Sequence, residues 1–158
     1  MKVKPWKVYT FWILLSEAVG AISGWLSREG FQIYSETVRQ PPLSPPSILF
    51  PVVWTILYAL MGIGAARIRL SVHSPERNKG INLFLAQLIV NFFWTPIFFN
   101  VQAYSLALAW LLLLWAMVLA MILQFRRVDP LAAKLQIPYL IWLTFAAYLN
   151  LGVWYLNR

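Results

Sequence analysis

Two side-chain amides share one face of a long apolar stretch with aromatic rings. The stripe, spaced at i, i+4, i+7 and i+11 of an α-helix, consists of Gln87, Asn91, Trp94 and Phe98. Amides beside flat rings can hold a planar, apolar molecule by hydrogen bonding and stacking, but they break no bonds themselves. The alternative interpretation is that both amides hydrogen-bond neighbouring helices and serve packing alone.

Two further aromatic faces occur at helical spacing. Trp54 and Tyr58 are four residues apart, so they lie one above the other on a helix. Another face combines Trp142, Phe145, Ala146 and Leu149. Aromatic faces form a protein core more often than a binding site, so the periodicity leaves both a ligand cavity and a packed core open.

Residues suited to bond chemistry are scarce. His73 is the single histidine and the chain has no cysteine, which leaves no Ser–His–Asp arrangement, paired-carboxylate site or metal-binding cluster. We therefore predict no catalytic residue, no metal site and no required cofactor. A haem could not be ligated by histidine or cysteine inside the membrane, so a bound porphyrin or haem would depend on stacking, apolar contact and amide hydrogen bonds.

The composition places these faces in a membrane. Of the 158 residues, 61% are hydrophobic and 11% are charged, which is more apolar surface than a soluble domain of this size can bury. A bilayer core about 30 Å thick needs about 20 apolar residues of helix. The sequence predicts an all-α integral membrane protein, a five-transmembrane-helix bundle in a single domain over 1–158. The predicted spans are 8–26, 48–66, 81–101, 104–125 and 135–156.

Positive charge differs between the two ends of this predicted bundle. Ten of the 13 Lys and Arg residues lie at the N-terminus or in segments 67–80 and 126–134. The other three are Arg28, Arg39 and Arg158. The bias predicts a cytoplasmic N-terminus and a C-terminus outside. Basic loops beside anionic lipid account for the net charge of +8, so membrane lipid is the expected partner and nucleic acid is not.

The long connection over residues 27–47 is rich in proline. Its prolines are Pro41, Pro42, Pro45 and Pro46. Proline fixes φ and restricts the preceding residue, so this loop is stiff. Long ordered loops in compact proteins are usually lids or binding loops. We predict a lid over the aromatic faces, with a simple spacer as the alternative.

Three weaker features stay open on the residues alone. Gly20 and Gly24 form a GxxxG pattern that permits close helix packing, within the chain or with a second subunit. Glu17 is the only acid inside a predicted span, and a functional carboxylate and a neutral, hydrogen-bonded carboxyl are equally good interpretations. A loose sterol-contact pattern, which often arises by chance, is formed by Val153, Tyr155 and Arg158.

Three sequence blocks together resemble the TspO/MBR family of tryptophan-rich sensory proteins and translocator proteins. The blocks are PVVWTILYALMGIGA at 51–65, LIVNFFWTPIFF at 88–99 and IPYLIWLTFAAYLNLGVW at 137–154. They occur in order, after a proline-rich first loop, and the similarity runs from about residue 8 to the C-terminus. The resemblance implies a five-helix membrane bundle, often a homodimer, that binds porphyrins and, in animal members, cholesterol and synthetic isoquinolines.

The resemblance also implies which residues form the pocket. The pocket tryptophan of the second span falls on Trp54, with Tyr58 one turn below it. The asparagine that bonds ligand carbonyls falls on Asn91, and Trp94 follows one turn later. The fifth-span tryptophan, the small residue against which ligands lie, and the aromatic of the first loop fall on Trp142, Ala146 and Tyr34.

The chain departs from the family pattern at three positions. Leu43 replaces the tryptophan of the usual W-x-P-P in the first loop, and Ser35 stands where tyrosine is common. These two changes bear on contacts between the lid and a ligand. Trp110 stands where members usually carry an acid, which bears on helix packing or dimerisation.

Residues and resemblance together predict a membrane protein that binds, and transports or senses, tetrapyrroles such as porphyrin or similar planar apolar ligands. Light-dependent breakdown of porphyrin is the enzymatic alternative that the resemblance keeps open. A structural or chaperone-like membrane subunit, whose aromatic residues are only core, is the third. A sterol-like ligand and a homodimer are further expectations from the resemblance.

Overall fold

Each of the five predicted spans is a helix in the structure, a computed structural model that describes residues 2–158. The helices are α1 (Pro5–Leu26), α2 (Arg28–Thr37), α3 (Leu49–Leu70), α4 (Pro75–Thr95) with a π-helical continuation (Pro96–Asn100), α5 (Tyr104–Arg126), α6 (Pro130–Lys134) and α7 (Ile137–Leu156). Five helical segments are long and apolar enough to cross a membrane, and no strand occurs within residues 2–158. The fold is an all-α membrane bundle, as predicted.

Local capping explains where two spans begin earlier than predicted. Helix α4 begins at Pro75 because the Oγ of Ser74 accepts a hydrogen bond from the Arg77 amide at 3.1 Å. Proline suits the first turn, where its missing N–H has no helical partner in any case. The last span begins at Pro130, because the Oδ1 of Asp129 accepts the Leu131 amide at 3.0 Å. Hydropathy does not register these polar first turns.

The connection over 27–47 differs from the prediction in its first half. Residues 28–37 form helix α2, which was predicted as part of a non-helical loop, and only the segment from Val38 to Ile48 is irregular. Gly30 lets α2 lie directly on the π segment, because a methyl group there would come within 2.6 Å of the Phe99 carbonyl oxygen. We call α2 and residues 38–47 together the lid.

Small residues set the packing of α1 on α3. A methyl group at Gly62 would overlap the backbone of Ile13, and one at Gly20 would overlap the ring of Tyr58. The GxxxG pattern at Gly20 and Gly24 therefore faces the interior of this chain. Around this contact, α3, α4, α5 and α7 contribute a core of fully buried side chains: Met61, Ala65, Ile68, Phe84, Val118, Met121, Phe125 and Leu143.

Pro96 is the proline that changes the course of a span. It has no N–H to donate to the carbonyl of Phe92, four residues earlier, and the helix widens into the π segment at this point. The hydroxyl of Ser23 on α1 donates instead to the Phe92 carbonyl at 2.6 Å. Pro51 and Pro138, in contrast, lie in the first turns of α3 and α7, where no helical bond is lost.

The two basic segments lie at the same end of the bundle, opposite the lid. There the Nε of Arg67, at the end of α3, donates to the Oδ2 of Asp129 at 2.8 Å. Asp129 precedes α6. This ion pair joins the segment after the second span to the segment before the last one, so both share one side of the membrane.

Candidate functional site

A cavity of about 760 Å³ opens beneath the lid, between α1, α3, the end of α4 and α7. Cavities of this size accommodate drug-sized ligands. Aromatic and aliphatic side chains form most of its wall, and the polar groups are few and scattered. The arrangement suits a ligand that is held by its flat apolar body.

Four tryptophans line the cavity, and three of them, from three different helices, pack against another aromatic ring of the wall. Trp54 stacks on Tyr58 with ring centroids 5.4 Å apart and an angle of 30° between the rings. Trp94 stacks on Phe98 at 5.1 Å and 27°. Trp142 meets the edge of Phe50 at 5.9 Å. Because each of these three tryptophans is supported by a neighbouring ring, the walls are formed before any ligand enters.

The structure brings most of the predicted site residues together. Those that line the cavity are Tyr34, Trp54, Tyr58, Trp94, Trp142 and Ala146. Asn91 and Phe145 are not part of the wall. Residues from the three aromatic faces therefore border one space, and their binding of a ligand stays a prediction.

Asn91 lies behind Tyr58, inside a chain of buried side-chain hydrogen bonds. The Tyr58 hydroxyl donates to the Oδ1 of Asn91 at 2.6 Å, and the Nδ2 of Asn91 donates to the Tyr139 oxygen at 2.7 Å. The Tyr139 hydroxyl in turn donates to the Oε1 of Gln87 at 2.8 Å. The two amides of the α4 stripe thus join α3, α4 and α7, which is the packing role considered from the sequence.

Phe145 and the sterol-contact pattern lie away from the cavity. Phe145 is half-buried and packs between Trp142 and Tyr148, with centroids 5.5 and 6.1 Å away. Val153 is fully buried, whereas Tyr155 is 64% exposed with the Arg158 guanidinium 4.7 Å from its ring centroid. The members of the sterol pattern therefore do not share one surface.

The indole N–H groups of Trp94 and Trp142 differ in their partners. Trp94 donates through Nε1 to the Oδ1 of Asn150 at 3.2 Å, and Asn150 donates onward to the Tyr104 carbonyl at 2.9 Å. The Nε1 of Trp142 is buried and has no hydrogen-bond acceptor within residues 2–158. Trp94 is therefore fixed in the bundle by its polar atom, and Trp142 by apolar contacts.

The lid is fastened to α7 at three points. The Tyr148 hydroxyl donates to the Pro42 carbonyl at 2.7 Å. The side chain of Asn157 accepts the Arg39 amide at 3.0 Å and donates to the Arg39 carbonyl at 2.8 Å. Pro41 packs closely on Gly152: a methyl group added at Gly152 would lie 2.5 Å from the Cβ of Pro41. The stiff loop is thus an ordered cover, as the lid prediction requires.

Tyr34 connects the lid to the π segment. Its ring centroid lies 5.6 Å from Phe98 and 5.1 Å from Phe99. Burial, with a smaller contribution from the neighbouring Tyr104, raises the pKa of Tyr34 to about 12, so its hydroxyl stays neutral at physiological pH. It can therefore face an apolar ligand without a charge.

Some cavity residues were not predicted as site residues. Phe50 lies four residues before Trp54, so extending the Trp54–Tyr58 face by one helical turn would have found it. Phe99 follows Phe98 in sequence, yet both line the cavity because the π segment changes the helical register. No simple periodicity could have placed Phe99 there.

The departures from the family pattern fall in different surroundings. Leu43 is 81% exposed, has a φ of 69° and does not line the cavity, whereas Ser35 does. The hydroxyl of Ser35 donates to the Gln32 carbonyl of its own helix at 2.8 Å. Trp110 bonds α5 to α4, since its Nε1 donates to the Val90 carbonyl at 2.7 Å.

Comparisons with known proteins agree with this architecture. A model of the TspO/MBR family matches residues 12–156. Protein CrtK of Rhodobacter capsulatus is 40% identical over 123 residues, which is 77% of each chain. The tryptophan-rich protein TspO of Chlorobaculum tepidum is 37% identical over 141 residues, 89% of each chain. The bovine translocator protein is 35% identical over 157 residues, covering 98% of this chain and 92% of its own. On these matches and on its five-span helical bundle, the chain belongs to the TspO/MBR family.

Proposed function

We propose that this membrane protein binds a planar, apolar molecule of the tetrapyrrole class in the cavity beneath the lid, and that binding serves its transport or sensing. The observation that carries the proposal is the meeting of Trp54, Trp94 and Trp142 around one 760 Å³ space. A packed core would have filled that space with side chains. If the aromatic residues served only to pack the core, an open cavity between them would have no use.

The binding free energy expected from the aromatic wall is consistent with micromolar affinity. An aromatic pair contributes about 0.5–1.5 kcal/mol beyond area burial, and micromolar binding corresponds to about 8 kcal/mol. Three stacking rings supply part of this, and burial of the ligand's faces supplies the rest. The walls are already ordered by ring–ring contacts, so little of the gain is lost in arranging them.

Each proposed site residue has a distinct role. Trp54, Trp94 and Trp142 flank the flat faces of the ligand, and Ala146 leaves room beside Trp142. Tyr58 forms part of the wall, and its hydroxyl is held by the 2.6 Å bond to Asn91. Because Tyr58 stands between Asn91 and the cavity, we assign Asn91 a positioning role; the direct ligand contact predicted for it would require Tyr58 to move.

A haem in this site would be held without a histidine or cysteine ligand, since neither residue type lines the cavity. The protein needs no cofactor for the proposed function. A sterol-like ligand, membrane lipid and a second copy of the chain are further proposed partners. We also propose that the N-terminus is cytoplasmic and the C-terminus outside, with the lid on the outer side.

A dark titration with protoporphyrin tests the proposal. Purified protein in neutral detergent is titrated while porphyrin absorbance is followed, for wild type, Trp54→Phe and Trp142→Phe. We expect saturable binding that each substitution weakens about 2- to 10-fold, as loss of one indole contact implies. Trp6→Phe is the matched control, since Trp6 is 60% exposed near the N-terminus and lies outside the cavity.

Two outcomes would point elsewhere. Absence of saturable binding would favour the structural-subunit alternative, and equal affinity in all four proteins would remove the pocket assignment. Illumination of the bound complex then separates binding from catalysis. New bilin-like absorbance that depends on Trp54 or Trp142 would support light-dependent porphyrin breakdown.

A further inference from the structure

Glu17 places a carboxyl group in the cavity wall. Five residues of α1 face the cavity at i, i+3, i+4, i+7 and i+8, and they are Glu17, Gly20, Ala21, Gly24 and Trp25. At 1.5 Å rise per residue, Glu17 lies about 10 Å deeper along α1 than Gly24, measured from the lid. The carboxyl group therefore lies far from the lid and inside the membrane-spanning part of the bundle.

No protein group neutralises this carboxylate in the part of the chain that the structure describes. Within residues 2–158, the Glu17 side chain has no hydrogen bond and no ion pair; the one ion pair found there joins Arg67 to Asp129 at the end of the bundle opposite the lid. No Lys, Arg or His lines the cavity. Glu17 is half-buried within a membrane-spanning helix, where an ionised acid is costly unless a partner of opposite charge meets it.

The rest of the wall suits a positive charge as well. Four tryptophans line the cavity, but the Arg28 guanidinium lies 4.3 Å from the ring centroid of Trp25. The indole faces available to a ligand are therefore those of Trp54, Trp94 and Trp142. The faces of aromatic rings carry partial negative charge and attract cations, most strongly at tryptophan. A carboxylate combined with indole faces is therefore a site for an organic cation with an aromatic body. A ligand carboxylate placed near Glu17 would be repelled.

We propose that Glu17 is a specificity-determining residue, which makes the cavity prefer planar aromatic ligands that carry a positive charge over those that carry a carboxylate. The inference rests on the proposed function, because it assumes that the cavity binds a planar ligand. It adds the charge and the orientation of that ligand. The cationic group lies deep, beside Glu17, and the aromatic body lies between the tryptophans toward the lid. A tetrapyrrole with acidic side chains would orient them away from Glu17.

Three probes with one aromatic body separate charge from shape. They are neutral pyrene, a pyrenylmethyl-trimethylammonium cation and pyrenecarboxylate. Binding is followed by probe fluorescence in nanodiscs of zwitterionic lipid, so that lipid charge does not bias the probes. The proteins are wild type, Glu17→Gln, Glu17→Asp and the control Glu36→Gln. Glu36 carries the same charge on the lid helix but does not line the cavity.

For the cationic probe, we expect Glu17→Gln to weaken binding about tenfold, as loss of a charge partner implies. The carboxylate probe should bind the same variant more tightly than wild type. Pyrene affinity should change less than about twofold, which also reports that the variant is folded. Glu17→Asp should keep the preference for the cation, and Glu36→Gln should behave as wild type.

The outcomes distinguish the two proposals. If pyrene binds but the cationic probe has the same affinity for wild type and Glu17→Gln, the charge selectivity is refuted and the proposed function stands. An equal loss of cation binding in Glu36→Gln would also refute it, because the effect would then be general surface charge. If neither pyrene nor protoporphyrin binds wild type, the proposed function and this inference fall together.

Discussion

The hydroxyl of Tyr58 donates a 2.6 Å hydrogen bond to the side-chain oxygen of Asn91, and this bond couples the cavity wall to the core. Tyr58 faces the cavity, while Asn91 is buried and bonded on its other side to Tyr139. Buried polar groups in a membrane protein must find hydrogen-bond partners within the protein, and here Tyr58 and Asn91 are partners of each other. The floor of the cavity is therefore held by a polar network that reaches the ligand space through Tyr58 alone among Tyr58, Asn91, Tyr139 and Gln87.

We expect Asn91→Ala to lower the free energy of unfolding by about 1–3 kcal/mol, because it leaves the hydroxyls of Tyr58 and Tyr139 without their partner. Unfolding in mixed detergent, followed by tryptophan fluorescence, measures the difference. Asn82→Ala is the control, since Asn82 is exposed on the same helix and has no side-chain hydrogen bond within residues 2–158. Equal effects of the two substitutions would show that the network adds no stability.

Gly20 and Gly24 lie one helical turn apart on α1, and we expect alanine substitution to affect stability differently at the two positions. A methyl group at Gly20 would overlap the Tyr58 ring, whereas one at Gly24 meets nothing within 4 Å. Gly20→Ala should destabilise the protein by about 1–3 kcal/mol through overpacking. Gly24→Ala should be neutral or slightly stabilising, since alanine favours helix. Thermal unfolding of both variants in one detergent compares them, and a neutral Gly20→Ala would contradict the packing described here.

Replacement by phenylalanine should lower the free energy of unfolding by different amounts at Trp94 and at Trp142. Trp94→Phe removes a 3.2 Å hydrogen bond and leaves Asn150 with an unpaired oxygen. Trp142→Phe removes an indole N–H that is unpaired within residues 2–158. We expect Trp94→Phe to be the less stable variant by about 1 kcal/mol, the usual net value of one hydrogen bond. Chemical denaturation of the two variants measures this difference, and the reverse order would be incompatible with it.

Release of the lid from α7 should be visible by hydrogen exchange. Tyr148→Phe removes the 2.7 Å bond to the Pro42 carbonyl while keeping the ring. We expect amide exchange over residues 39–44 to rise several-fold, with the core of α3 unchanged. Tyr155→Phe is the control, because Tyr155 lies on the same helix, is exposed and makes no side-chain hydrogen bond within residues 2–158. Unchanged exchange in Tyr148→Phe would mean that the other lid contacts suffice.

The ion pair at the opposite end predicts a pH dependence. Partial burial raises the pKa of Asp129, but hydrogen bonds from Arg67 and from the amides of Ala132 and Leu131 outweigh it and hold the pKa below its ordinary value. The stabilisation is therefore present above the unfolded-state pKa of about 3.9 and is lost as pH falls through the lower pKa of the folded protein.

Asp129→Asn tests this dependence, because asparagine can still cap α6. At pH 7 we expect the variant to be less stable by at most about 1 kcal/mol, the value for partly exposed pairs, since the Arg67 side chain is 33% exposed. The difference from wild type should shrink as the pH falls below about 4. A difference that is constant with pH would assign the effect to the cap instead.

The positions of the spans followed from composition because hydropathy over about 20 residues reflects the thickness of the bilayer. The faces of Trp54–Tyr58 and of Trp142–Ala146 followed from helical period. Helix α2 could not be predicted in this way, because residues 28–37 mix polar and apolar side chains. The segment is helical in the structure, where Gly30 packs on the π segment. The place of Asn91 behind Tyr58 did not follow either, because a stripe gives the direction of a side chain but not its neighbour.

The sequence by itself determined a five-span bundle, its charge asymmetry, and the residue types that could surround a flat ligand. The tertiary structure alone decided that those aromatic faces enclose an open space, that Asn91 supports its floor, and that Glu17 reaches into it without a partner among residues 2–158. The reason is physical: periodicity is a property of one helix, whereas a cavity depends on how far apart several helices are held. Here that spacing is set by Gly20 and Gly62 and by the π segment after Pro96.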